Sequence, residues 1–195
     1  MYLDETLNGS FHCDILSKKL KRANGMLAKA RHYITKDDLK SLYFAICSSH
    51  LTYGSQIWGQ VINSFNQRIF KLQNRALRII TFSDFRADSN RLYHDLKILK
   101  LEDQIILQNC IFVHDALHDY FKFTREVHSL HTKSVTFGNL FVQHSGTIRY
   151  GINSITNKCV RDWNHLSRTL KLDLFTTSRF RLKKIIQNNF IEPYN

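Results

Sequence analysis

Between Phe65 and Thr81 the chain reads FNQRIFKLQNRALRIIT, and two interleaved stripes run through it. Ile69, Leu72, Ala76 and Ile79 recur at steps of three and four, the spacing that lines one face of an α-helix. Arg68, Lys71, Arg75 and Arg78 repeat that spacing one residue earlier, which at 3.6 residues per turn sets them about 100° around the axis. The segment is expected to be a helix with one face that packs and an adjacent face that is cationic. No Asp or Glu occurs anywhere from Leu39 to Ser83 to neutralise it.

Upstream, Leu16, Leu20, Ala23, Leu27 and Ala30 paint a similar stripe on a helix expected over Cys13 to Tyr33, which Gly25 weakens without ending. Its basic residues include Lys18, Arg22 and Lys29, and Ile15 to Lys36 holds no acid. Thr35 with Asp38 forms a capping pair for the next helix, since the hydroxyl can accept an orphan amide and the carboxylate suits the positive helix end. That helix carries Leu39, Leu42, Tyr43, Ile46 and His50, should end near Tyr53-Gly54, and is expected to lie antiparallel to the first. Downstream, a short helix over Ser89 to Leu96 leads to a longer one, Leu101 to Asp119, with Ile105, Cys110, Val113 and Leu117 inward. From Tyr120 to Thr156 no period holds, and loop with short strands is the expectation. Helix returns over Thr156 to Leu166 and over Ser178 to Ile191, where Phe180, Ile185 or Ile186, and Phe190 alternate with Arg181, Lys183 and Lys184. The fold class is mostly α: a helical bundle, a long helix, a loop-rich segment and C-terminal helices.

The 195 residues can bury one compact core and an appendix. Lys and Arg number 28 against 16 Asp and Glu, a formal charge of +12, and further acid-free stretches run from Val127 to Arg161 and from Leu174 to Ile191. A polyanion is the expected partner. Cys13, Cys47, Cys110 and Cys159 are too far apart for a C-x-x-C pair and read as reduced thiols. The start, MYLDE, lacks a signal-peptide pattern, and no apolar run reaches the roughly 20 residues of a membrane span, so a soluble protein of cytoplasm or nucleus is expected, without a membrane partner.

Several chemistries find no residues. Asp37-Asp38 is the only adjacent aspartate pair and sits in a capping context. His114 and His118 are one helical turn apart, as metal ligands can be, with Asp115 and Asp119 repeating the interval, but the helix supplies no third ligand and the pattern reads as a surface helix end. There is no G-x-S-x-G elbow and no Gly-rich phosphate loop. Tyr53, Trp58 and Trp163 read as packing residues ahead of base-stacking ones.

The order of segments resembles the region after the palm in Jockey-like, LINE-type non-LTR retrotransposon reverse transcriptases. LYFAICSSHLTYGSQIWG, Leu42 to Gly59, resembles the segment in which a helix ends at Tyr-Gly and leads to Trp-Gly. KLQNRALRIITFSDF, Lys71 to Phe85, resembles the next helix, and LKILKLED, Leu96 to Asp103, the connector after it. Tyr2 to Leu7 resembles the exit from the last palm strand, with Asp4 in place of glycine; His131-Thr132-Lys133 resembles H-x-T-R, with Lys133 in place of Arg. VRDWNHLS, Val160 to Ser167, resembles W-N-x-L-P with Ser167 in place of proline, and Phe180 to Lys183 resembles the closing pattern.

The resemblance implies a remnant of the palm exit over 1–12, a thumb-like bundle over 13–85, a helical connector over 86–119 and a loop-rich, helical tail over 120–195. It implies a grip on the phosphates of RNA, DNA or an RNA–DNA hybrid by Arg68, Lys71, Arg75 and Arg78, backed by Lys18, Arg22 and Lys29. Polymerase chemistry would need the Y/F-A-D-D turn of a palm, which this chain lacks. Magnesium would belong to that palm, so no catalytic residue, cofactor or metal is expected here, and the missing palm would be a partner. The rival expectation is a degenerate relic or a helical protein-interaction domain without nucleic-acid binding.

Overall fold

A computed structural model describes residues 10–59, 63–119, 140, 155–171 and 174–194. The described residues are mostly helical: α1 (Ser10–Ala30), α2 (Lys36–Tyr43), α3 (Ser49–Thr52), α4 (Ser55–Trp58), α5 (Asn63–Ile80), α6 (Ser89–Leu96), α7 (Leu101–Asp119), α8 (Ile155–Leu170) and α9 (Arg179–Ile191). Single 3-10 turns occupy Leu174–Thr176 and Glu192–Tyr194. The periodic segments therefore became the expected helices with ends shifted by a few residues, while the loop and strand expectation for Tyr120 to Thr156 falls almost wholly outside the described residues. The chain forms two compact units, residues 1–105 with 189–195, and residues 106–188.

The first unit is built around the expected α1 stripe and an α5 face rotated slightly from the expected one, since Leu72 is only partly buried while Leu77 and Ile80 join Ile69, Ala76 and Ile79 in the core. Leu16, Leu20, Ala23 and Leu27 of α1 and Ile69, Ala76, Leu77 and Ile80 of α5 are buried in one cluster with Leu39, Tyr43, Leu51, Trp58, Tyr93 and Leu101. Thr35 caps α2 as expected: its Oγ1 accepts the Asp38 N–H at 3.3 Å and donates to the Asp38 carboxylate at 2.7 Å. Asp88 does the same for α6 through the Asn90 N–H. At the far end of the chain, the Tyr194 hydroxyl donates to Asp103 and accepts the Lys100 backbone N–H, which fastens the last residues to this core.

Between α2 and α3 the helix widens into a π-turn over Phe44–Ser48. Leu39, Tyr43, Cys47 and Leu51 are all buried although they stand four residues apart. In an α-helix three steps of four drift by about 120°, which would carry Leu51 off the core. The wider turn absorbs that drift and keeps the four side chains in line.

The Tyr-Gly and Trp-Gly pairs acquire separate physical causes. Gly54 has φ 63°, the left-handed conformation that glycine enters without penalty, and it opens α4. Gly59 has an ordinary φ, but a Cβ there would collide with the Ser55 carbonyl and stand 2.9 Å from the Ile105 side chain. Trp58 between them is fully buried, with its indole N–H donating to the Tyr53 carbonyl at 2.9 Å.

In the second unit, Leu107, Cys110 and Val113 of α7, Val160, Trp163 and Leu166 of α8, and Leu182 and Ile186 of α9 are buried. Phe180, expected on the packing face of the last helix, is instead 80% exposed, and Leu182 takes its place. Leu182 and Ile186 are four apart on one face, which Phe180 does not share. Asn164 holds Leu140 at both backbone groups, accepting its N–H at 2.8 Å and donating to its C=O at 2.7 Å. No helix of the described residues is long and apolar enough to cross a membrane.

Three glycine-to-alanine substitutions separate these causes in urea unfolding followed by circular dichroism. Gly59→Ala should cost roughly 1–3 kcal/mol by overpacking, and Gly54→Ala about 1–2 kcal/mol through its φ. Gly25→Ala, mid-helix with nothing within 4 Å of the new methyl, should stabilise by about 0.5–1 kcal/mol. Equal effects at the three sites would contradict the assignment.

Candidate nucleic-acid interface

The acid-poor face of the first unit is built by α1 and α5, which pack side by side. Asp14 meets Arg68, the Asn24 amide donates to the Leu72 carbonyl at 2.9 Å, and Arg31 lies over Phe82. These contacts advance along both segments together, so the helices run parallel. At 100° per residue, Lys18, Arg22 and Lys29 fall within about 20° of the point opposite the buried stripe centred on Leu20. All three are exposed. On α5, Lys71 and Arg75 are exposed and border the same outward surface.

The structure treats the other two arginines of the α5 stripe differently. Arg68 donates to Asp14 at 2.8 Å, with both side chains about half exposed. A pair in that much solvent contributes about 0–1 kcal/mol, so it can open to a competing phosphate. Arg78 is more committed. Its Nε and Nη2 donate to the Ala87 carbonyl at 3.2 and 3.0 Å, and its guanidinium stands 5.9 Å from the centre of the Phe85 ring. The seven residues singled out in the sequence thus divide into five outward cations, one in a solvent-exposed pair and one that braces the loop after α5.

Several residues that sequence reasoning passed over prove to orient this face. Gln73 is buried on α5, and its amide donates to the Tyr43 hydroxyl at 3.1 Å and the Leu99 carbonyl at 2.9 Å. The Tyr93 hydroxyl donates to Asn74 at 2.7 Å. A polar residue on the apolar face of a helix was the signal for Gln73. Burial pushes the Tyr43 hydroxyl well above its ordinary range, so it remains a neutral donor and acceptor.

The remaining candidates resolve into structural roles. Asp37 and Asp38 occupy the first turn of α2 in the capping arrangement described above. His114, expected at a helix surface, is buried, and its Nε2 lies 2.9 Å from the Thr177 carbonyl. A carbonyl only accepts, so that nitrogen carries the hydrogen and points away from metal ligation. The side chain of His118 lies outside the described residues. Among the described residues no group of three or more His, Cys, Asp or Glu could hold a metal. Trp58 and Trp163 are fully buried, in line with packing, whereas Tyr53 is 62% exposed.

No family model matches the chain, and no solved structure matches it. Two curated proteins of Drosophila melanogaster are similar to part of it. One is the probable RNA-directed DNA polymerase from transposon X-element, 28% identical over 106 residues, which cover 53% of this chain and 12% of that protein. The other is the probable RNA-directed DNA polymerase from transposon BS, 43% identical over 53 residues, 27% of this chain and 6% of that protein. Part of the chain is therefore similar to RNA-directed DNA polymerases from transposons, and the chain spans about an eighth or less of the length of these relatives.

All four cysteines are free and buried. Burial pushes the Cys13 thiol up to about 11 and the Cys47 and Cys159 thiols up to about 12, and raises Cys110 well above its ordinary range. The thiolate is the reacting form, so at pH 8 the native protein should react with an aromatic disulfide at least tenfold more slowly than the urea-unfolded chain. Equal rates would contradict the burial.

Proposed function

We propose that this chain carries the thumb and C-terminal tail of a LINE-type retrotransposon RNA-directed DNA polymerase, and that these residues grip the primer–template backbone without themselves turning it over. The observation that carries this reading is the outward surface of α1 and α5, where Lys18, Arg22, Lys29, Lys71 and Arg75 face solvent and Asp14 is the sole acid on either helix. From Lys18 to Lys29 the helix rises about 16 Å, a length of duplex that carries roughly ten phosphates. The surface sets cations along the length of such a phosphate array, and point charges of this kind fix a backbone without specifying sequence.

The Drosophila relatives and the ordered segment resemblance support the polymerase assignment. Residues 1–12 would then correspond to the palm exit, and residues 120–195 to the tail beyond the connector. The magnesium ions of such a polymerase would belong to the palm in this reading. The contribution of the chain itself is charge and position: point cations on rigid helices that fix where the duplex lies.

Five outward cations that each displace a counterion give a slope of log affinity against log salt of about −4 to −5 on duplex DNA. Replacing Lys71 and Arg75 together with Gln should flatten that slope by roughly two. Asp14→Asn should steepen it by up to about one, because Arg68 is released. Filter binding or anisotropy titrations of the full chain across a salt series measure both. An unchanged slope in the double variant removes these residues from the interface, and no affinity for duplex or hybrid at low salt favours a relic or a protein-interaction domain.

A further inference from the structure

Because α1 and α5 run parallel, both C-terminal ends emerge at one end of the cationic surface, and that end is aromatic. Phe82 is 50% exposed and Phe85 81% exposed. The Arg31 guanidinium lies 4.9 Å from the centre of the Phe82 ring, and that of Arg78 lies 5.9 Å from the centre of the Phe85 ring. A cation over a ring face is a favourable contact, yet both rings keep much of their surface in water. Other large apolar side chains of this unit are exposed too, Tyr53 among them, but these two rings each stand beside a guanidinium at the end of the cationic surface.

The backbone adds an independent observation. Phe82 has φ 55°. It closes α5 in the arrangement where the Ser83 N–H reaches back to the Arg78 carbonyl at 3.1 Å and the Phe82 N–H to the Ile79 carbonyl at 3.4 Å. Glycine normally takes this position, because a side chain there is strained. The Phe82 ring is half exposed and stands outside the core cluster, where folding alone gains little from it. Asp84 and Asp88 share the loop, but each is engaged locally, Asp84 with the Phe85 N–H and Asp88 with the Asn90 N–H.

We propose that Phe82 and Phe85, backed by Arg31 and Arg78, form a stacking platform for unpaired bases, so that the preferred ligand is a duplex continued by a single strand. This inference rests on the phosphate grip proposed above and names its ligand more narrowly. Bases inside a duplex already stack on each other, so exposed rings beside a phosphate-binding surface meet free base faces chiefly where the strand continues unpaired beyond the duplex. The rings tolerate any sequence, since every base has a flat face. The guanidiniums serve twice, fixing the rings and attracting the strand that follows.

The test compares a blunt RNA–DNA hybrid with the same hybrid carrying a short single-stranded extension, whose first unpaired base is the fluorescent analogue 2-aminopurine. Binding of the full chain should be roughly tenfold tighter or more on the extended hybrid, with quenching of the analogue on stacking. The double variant Phe82→Gly, Phe85→Ala should lose both effects while its affinity and salt slope on the blunt hybrid stay as in the parent. Glycine suits φ 55°, so this variant should fold at least as well as the parent at position 82, and its thermal midpoint verifies that. Equal affinity of the parent for blunt and extended hybrids, or proportionate losses on both in the variant, would overturn the platform and leave the phosphate grip standing. No binding of the parent to either hybrid overturns the grip and the platform together.

Discussion

Leu16, Leu20, Ala23 and Leu27 of α1 share a core with Ile69, Ala76 and Ile80 of α5, and that shared burial decides most of what the first unit presents to solvent. Each helix places its cations away from the stripe that packs, so joining the stripes side by side forces the two charged faces onto one surface. Like charges brought together are costly, by a few tenths of a kcal/mol for each exposed neighbouring pair. Burying the apolar side chains returns about 1.5–3 kcal/mol apiece, which is why the arrangement holds. In the proposed reading, the repulsion that remains is what a bound polyanion would relieve.

Orientation is fixed by a smaller number of polar contacts inside that core. Gln73 ties α5 to Tyr43 and to the Leu99 carbonyl, and Asn24 ties α1 to the Leu72 carbonyl. Each buried amide must keep its partner or lose about 1–3 kcal/mol, so rotating either helix is penalised. Gly59 lets α4 close on Ile105, and Tyr194 joins the chain end to Asp103 and Lys100. The cationic residues can then stay on long, flexible side chains while the helices under them do not turn.

Much of this was legible in the sequence for a physical reason: a helical period exposes both the packing stripe and its charged neighbour. The α1 stripe, the Thr35 cap and the glycine at 54 follow from local rules and the structure carries each of them, while the α5 stripe is realised except that Leu72 yields to Leu77 and Ile80. What the sequence hid were features decided by partners distant along the chain. Asp14 lies 54 residues from Arg68, and Ala87 takes up Arg78 only once the loop folds back. His114 looked like a helix surface until Thr177 covered it. Phe180 looked apolar enough to pack, yet Leu182 and Ile186 set the face that does. The run Leu39, Tyr43, Cys47, Leu51 at steps of four was a visible hint of the π-turn, because an α-helix cannot keep that spacing on one face.

The central claim is that one surface, the joined outward faces of α1 and α5, meets nucleic acid. Lysine-modification footprinting of the full chain, with and without an RNA–DNA hybrid at low salt and read residue by residue, tests it most directly. The account predicts that Lys18, Lys29 and Lys71 are protected together by the hybrid, while Lys183 and Lys184, exposed on α9, keep their reactivity. Protection spread evenly over all these lysines, or confined to α9, would contradict it.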